Sequence, residues 1–328
     1  MGIRISGVGA YVPEGTVTND ELARKVDTSN EWIVAKTGIV SRRIAAPDEA
    51  PSDMGWHAAE RCLKNAGVDR SAVDLIVVAC ATPDQSQPAV ACLIQDKLGV
   101  AGQHCPAFDV NSVCAGFVFA LSVAQGMMLA DPNQYANVLV IGTDAFSKII
   151  NWHDRRTCVF FGDGAGAVLL TRTDDDRRMH FLLGSDGRGR DCIMVPAGGT
   201  RRPVDREVLE KRLNTFVMDG PKVWDFAVNA VPRAIRTLLG RHQLTPSDLD
   251  LLVLHQSNLR MIEAMAKTLE LKPEQLVTTV ETYGNTAAAS IPLTLEKAWT
   301  SGRLRPGSRV SLCGFGGGLS WGAALLEW

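Results

Sequence analysis

Three residues of this sequence have types and positions suited to acyl chemistry on sulfur: Cys114, His255 and Asn285. Cys114 lies in FDVNSVCAGFVFALSVA, where an apolar strand pattern runs through a polar turn into a small-residue helix pattern. A cysteine at a helix start meets unpaired backbone N–H groups and the positive end of the helix dipole, and both favour a thiolate. Ala115 and Gly116 leave room for a substrate to approach the sulfur. His255 closes the apolar run LLVLH and opens the polar segment HQSNLR. Ligands of α/β sheets gather just past the carboxyl ends of buried strands. Asn285 sits in YGNTAAAS, a turn leading into a second small-residue helix pattern. Each has a plain alternative: a packing thiol, a satisfied core histidine, an asparagine that caps a helix or forms a turn. As a set, they can open a thioester and then stabilise an enolate oxygen.

An internal repeat is what brings the three together. Residues 54–82 and 224–257 each read as an amphipathic helix, a turn with Gly or Pro, an acidic lead-in and a buried strand, DLIVVA in one and DLLVLH in the other. Small-residue helix patterns follow both, VCAGFVFALSVA and NTAAASIPLTLEKA, which puts Cys114 and Asn285 in equivalent places. Both halves then close on what reads as a glycine-rich strand hairpin, CVFFGDGAGAVLL at 158–170 and VSLCGFGGGLSWGAALL at 310–326. Continuous apolar strands imply parallel-rich sheets covered on both faces. The expected architecture is α/β, in two similar halves at 1–172 and 173–328, joined at DDDRR (174–178), with 186–213 as a loop over the site.

Composition narrows the class. Among 328 residues, 46% are hydrophobic and 21% charged, which is globular rather than disordered. A net charge of −2 gives no electrostatic case for nucleic acid or an anionic membrane. No signal peptide is expected, nor any apolar run of membrane-spanning length. The eight cysteines include no C-x-x-C pair and mostly sit in apolar runs, so buried thiols of a reducing cytoplasm are expected, with no metal site. GDGAGA at 162–167 is followed by the strand pattern VLLT rather than a helix, which excludes a dinucleotide-binding turn.

From first strand to last residue the chain resembles the β-ketoacyl-acyl-carrier-protein synthase III family of the thiolase superfamily. The resemblance rests on TSNEWIVAKTGI, FDVNSVCAGFVFALS, FFGDGAGAVLL, LHQSNLR, YGNTAAASIP and FGGGLSWGAALL in that order. It implies a thiolase-like layered αβαβα architecture built from two duplicated halves, and a homodimer. It implies Cys114 as acyl acceptor, with His255 and Asn285 promoting malonyl decarboxylation and holding the enolate. The amides of Cys114 and Gly317 would form the oxyanion hole. Trp32 and Arg155 would sandwich the adenine of coenzyme A, with Thr28, Lys36 and Asn258 nearby. Gln256, Ser257, Asn258, Leu259 and Arg260 would meet the carrier protein, Arg260 projecting outward. Gln87, donated across the dimer, and Phe315 would bound the acyl pocket, and the flexible Gln87 predicts acyl-CoAs longer than acetyl. The partners implied are acyl-CoA and malonyl-acyl-carrier protein, with no cofactor beyond the coenzyme A thioester itself.

Three positions depart from the family pattern. Lys36 replaces a usual arginine, Arg156 a glycine of some members beside the adenine site, and Asp225 a lysine that some members offer to the acidic carrier. Two other readings stand beside this one: a relative that transfers its acyl group to another nucleophile in a specialised or signalling pathway, and a non-catalytic partner subunit.

Overall fold

Apolar runs too short for helices set the frame. In the computed structural model, which describes residues 1–102 and 104–328, Leu75–Ala79 (LIVVA) is a strand with every residue buried. Its side chains alternate between two cores. Leu75, Val77 and Ala79 pack with Phe117, Val118 and Leu121 of the helix Gly116–Ala130, while Ile76 and Val78 pack under the helices Pro51–Ala66 and Val90–Leu98. A strand covered on both faces needs no polar face, hence the continuous apolar sequence.

Five strands form the first sheet, in the order Gly2–Tyr11, Asp163–Thr173, Asn137–Ala145, Leu75–Ala79, Ala107–Val110. The last three run parallel to one another and the first two join antiparallel. The second sheet repeats that plan: Leu251–Leu254 is parallel to Arg309–Gly316, followed by antiparallel Ser320–Glu327 and then His180–Ser185. Where the fifth strand would stand there is only a single parallel bridge, Leu252 to Leu276. The helices Gly116–Ala130 and Ser290–Thr300 fill the layer between the sheets, and Gly220–Arg241 with Leu259–Thr268 covers the outside of the second. The layers are therefore αβαβα. Their central spacing requires glycine at Gly142, where a Cβ would lie 2.4 Å from the Ala288 carbonyl oxygen.

Helix ends follow local chemistry. Pro51–Ala66 starts on a proline, with the Asp53 carboxylate accepting from the Ala50 N–H, and stops at Gly67 in the left-handed region. Gly220–Arg241 begins where the Asp219 side chain accepts from the Lys222 N–H.

Three expectations need correction. The stretch 158–170 is not a hairpin: it holds one strand, paired with Asn137–Ala145, whereas 310–326 holds both strands of a tight hairpin. Glycine content looks alike in the two segments, but only the second makes its own turn. The stretch Val113–Ala130 is long and apolar enough to cross a membrane, contrary to the sequence reading; it lies between the two sheets, with Phe117, Val118, Ala120 and Leu121 fully buried. The segment 186–213 is partly ordered as the helix Arg206–Glu210 and the strand Ile193–Met194, which pairs with Val217–Met218.

Candidate active site

Cys114 sits in a single 3-10 turn, Val113–Ala115, directly before the helix Gly116–Ala130. The turn starts with Val113 at φ +47°, a costly conformation for a β-branched residue. The second half has the same device: Ala287 at φ +48° opens the 3-10 turn Ala287–Ala289 before Ser290–Thr300. The Oδ1 of Asn111 accepts from the Val113 N–H at 3.1 Å, and that of Asn285 accepts from the Ala287 N–H at 2.9 Å. The duplication therefore pairs Asn285 with Asn111 and Cys114 with Ala288, not Cys114 with Asn285. The three chemical residues still meet, because the two central helices begin beside one another.

His255 follows the strand Leu251–Leu254 and is 2% exposed. Its N–H donates to the Cys313 carbonyl, its Nδ1 lies 2.7 Å from Ser290 Oγ, and its ring meets Phe315 edge-on at 5.1 Å. Burial lowers its pKa to about 3, so the ring is neutral at physiological pH. Asn285 is held through its N–H to the Phe160 carbonyl. With Oδ1 spent on Ala287, its Nδ2 has no hydrogen-bond partner among the described residues. One cavity of about 220 Å³ is lined at once by Cys114, His255, Asn285, Phe315 and Gly316. Ile193, Phe216, Met218, Val223 and Trp224 add apolar lining to the same cavity.

Burial opposes the thiolate that a place at a helix start favours. Burial pushes the Cys114 thiol well above its ordinary range, and the charge of Asp144 adds to the push. Removal from water costs the anion more than the local backbone returns. Asp144 was not anticipated from sequence. Its buried carboxylate accepts from the N–H groups of Ala81, Thr82 and Ala288 and from Thr82 Oγ1, tying a loop of the first half to the start of the second central helix. Burial raises its pKa to about 6. Gly316 also lay outside the expected set: a Cβ there would be 2.9 Å from Cys114 Cβ and 3.3 Å from Sγ. The next residue, Gly317, begins the turn that follows the strand Arg309–Gly316.

The expected coenzyme A residues lie around the helix Asn30–Thr37. The Arg155 guanidinium lies 5.3 Å from the centre of the Trp32 ring and donates to the Asp27 carbonyl at 2.7 Å. Thr28 has a buried Oγ1 without a partner. Lys36 is exposed, its carbonyl accepting from Asn258 Nδ2 at 3.4 Å. Asn258 also caps the next helix through the N–H groups of Arg260 and Met261, and it lines the cavity with Ser257. A base stacked between Trp32 and Arg155 needs about 7 Å, two van der Waals spacings, so the slot is closed. Arg156 pairs with Asp154 at 2.9 Å, its side chain 81% exposed.

The carrier-facing set is corrected at one position, Gln256. Gln256 is fully buried: its Nε2 donates to the Leu254 carbonyl and its Oε1 accepts from the N–H groups of Thr279 and Val280. Arg260 donates to the carbonyls of Val34 and Ala35 at the end of the helix Asn30–Thr37, and pairs with Glu263 at 3.0 Å. Gln256 is therefore not free to meet a partner protein, whereas the Arg260 side chain remains 39% exposed. Leu259 is half-buried against Gly38, while Asp225 is exposed on the helix Gly220–Arg241. Gln87 lies on an exposed loop and does not line the cavity of its own chain.

Comparison with known proteins adds an independent line. Residues 108–187 match the family profile 3-Oxoacyl-[acyl-carrier-protein (ACP)] synthase III, and residues 239–328 match its C-terminal counterpart. The chain is 42% identical to a β-ketoacyl-[acyl-carrier-protein] synthase III of Caldanaerobacter subterraneus subsp. tengcongensis, covering 99% of this chain and 97% of that one. The crystal structure of 3-oxoacyl-[acyl-carrier-protein] synthase III from Aquifex aeolicus superposes with a TM-score of 0.90 at 35% identity, covering all of both chains. The priming β-ketosynthase of the R1128 polyketide biosynthetic pathway gives a TM-score of 0.90 at 34% identity, over 99% of this chain and 96% of that one.

Proposed function

The chain belongs to the β-ketoacyl-[acyl-carrier-protein] synthase III family, and from that membership we propose a two-stage condensation centred on Cys114. An acyl-CoA enters past Trp32 and Arg155, and its thioester carbonyl meets the Cys114 sulfur. The sulfur forms the new C–S bond, the bond to coenzyme A breaks, and the proton leaving Cys114 ends on the departing coenzyme A thiolate. One thioester replaces another, so no oxidant or metal takes part. The amides of Cys114 and Gly317 stabilise the tetrahedral oxyanion.

Malonyl-carrier protein then occupies the same tunnel. Loss of carbon dioxide leaves an enolate, whose oxygen accepts hydrogen bonds from His255 and Asn285 Nδ2. The enolate carbon attacks the acyl-cysteine, and collapse of the adduct releases 3-oxoacyl-carrier protein and a Cys114 thiolate that takes up a proton. The observation that carries this reading is the single cavity shared by the nucleophile and two neutral side chains with N–H groups. Neutral donors suit an enolate, because their strength is spent where charge develops.

The apolar lining of the cavity supports a starter longer than acetyl, each buried methylene adding up to about 0.8 kcal/mol. The strand Ala107–Val110 has a partner on one side only, which supports a homodimer formed along that edge, with Gln87 reaching a second copy. A cytoplasmic setting fits six buried thiols and a coenzyme A substrate. Both fatty-acid initiation and a dedicated polyketide-type starter fit this chemistry.

Intact mass after incubation with acetyl-, butyryl-, octanoyl- and dodecanoyl-CoA tests the assignment. The wild type is expected to gain one acyl group and Cys114→Ala none. His255→Ala and Asn285→Ala are expected to acylate yet lose about 10² to 10³ in condensation rate. Labelling of Cys114→Ala equal to wild type removes the assignment.

A further inference from the structure

Ser290 is the only polar side chain, among the described residues, hydrogen-bonded to the side chain of Cys114, His255 or Asn285, and it stands outside the cavity. It is the first residue of the helix Ser290–Thr300, at the position that Gly116 holds in the first half. Its Oγ lies 2.7 Å from His255 Nδ1, and both residues are buried, at 0% and 2% exposure. A hydroxyl has one hydrogen to give, and a neutral imidazole has one N–H and one lone pair.

The direction of that bond follows from what else the serine touches. Its N–H donates to the Ala287 carbonyl and its own carbonyl accepts from Thr294 Oγ1, but its Oγ has no second partner among the described residues. Were Nδ1 protonated, the ring would donate to Oγ and the buried hydroxyl hydrogen would be left without an acceptor, which folded interiors avoid. With the hydroxyl donating to Nδ1, both groups are satisfied and the ring's hydrogen sits on Nε2. The nitrogen that is hydrogen-bonded determines the state of the other.

We propose that Ser290 is a positioning residue that fixes His255 as the Nε2–H tautomer, so that the imidazole presents a donor rather than a lone pair to the cavity. This rests on the condensing reaction above and deepens it. In this tautomer His255 cannot take the Cys114 proton, which agrees with its transfer to coenzyme A, and the ring is reserved for the enolate oxygen. Burial supplies the second condition by keeping the ring neutral.

The test uses full-length protein labelled with ¹⁵N-histidine. His255→Gln identifies which of the six histidine signals belongs to His255. The wild type is expected to show a protonated Nε2 and a bare, hydrogen-bonded Nδ1. Ser290→Ala is expected to mix or reverse that population. The same variant should still acylate Cys114 but lose about tenfold in kcat of condensation, less than removal of the donor itself, with little change in KM for malonyl-carrier protein. Ser290→Thr, which keeps a hydroxyl, should recover most of the rate. A wild-type ring protonated on Nδ1 overturns the proposal, as does a Ser290→Ala enzyme with unchanged tautomer and rate. Should that variant fail to fold, the wild-type spectrum alone decides. Failure of wild-type protein to acylate would overturn the condensing reaction instead, and the nitrogen shifts would still report the tautomer.

Discussion

Replacing Gln256 with leucine separates a brace from a docking contact. The substitution nearly conserves volume and removes an amide whose Oε1 accepts from the Thr279 and Val280 N–H groups at 2.8 and 3.3 Å. Both residues are buried, at 2% and 0% exposure, so each orphaned N–H costs about 1–3 kcal/mol. The pair amounts to about 2–6 kcal/mol, a large part of the roughly 5–15 kcal/mol that holds a typical domain folded. Losing the donor to the Leu254 carbonyl acts in the same direction. Equilibrium urea unfolding of Gln256→Leu should therefore show a much lower midpoint. The kinetics of the folded fraction should show no selective rise in KM for malonyl-carrier protein. Wild-type stability together with a raised carrier KM would refute this reasoning and restore Gln256 to the carrier interface.

Gly316→Ala should fold yet acylate about 10² times more slowly, because its Cβ at 3.3 Å from Cys114 Sγ displaces the nucleophile; mass labelling at wild-type rate would count against that geometry. The buried His255 also sets a pH dependence. Its folded pKa of about 3 lies below the ordinary 6.5, so between those values the unfolded chain binds a proton that the folded chain refuses, and stability falls as pH falls. From pH 7 to 5 that loss is roughly 2 kcal/mol for this residue. Asp144 works in the opposite direction: its folded pKa of about 6 means that the folded chain keeps a proton the unfolded chain has released between about 3.9 and 6. Thermal unfolding at both pH values should show wild type losing more than His255→Gln on acidification, and equal losses would contradict the burial.

The duplicated fold and the meeting of Cys114, His255 and Asn285 at one cavity were legible because they are written in local patterns. Buried strands such as LIVVA and LLVL have no polar face, and the turn before each central helix carries its asparagine at a fixed spacing. What failed depended on direction or environment. A cysteine at a helix start reads as a thiolate until the depth of its burial is known. Gln256 reads as part of an exposed polar run after a strand, but only the fold brings the N–H groups of Thr279 and Val280 within reach of its amide and buries it. The repeat register slipped by three residues because two asparagines, not the cysteine, mark the equivalent turns. Ser290 and Asp144 carry no sequence signal of their own, since serine at a helix start and aspartate after a strand are commonplace.

On the route proposed above for acyl-CoA, the contact between Trp32 and Arg155 makes a latch formed by the protein's own side chains. A thioester carrying a nucleotide must part them and replace their mutual attraction with two stacking faces. A thioester carried on a protein has no base to insert and leaves the latch alone. The two substrates of one tunnel thus present different demands at its threshold, and so would inhibitors. A compound shaped to the closed pair meets a finished surface, whereas an adenine mimic must first open one.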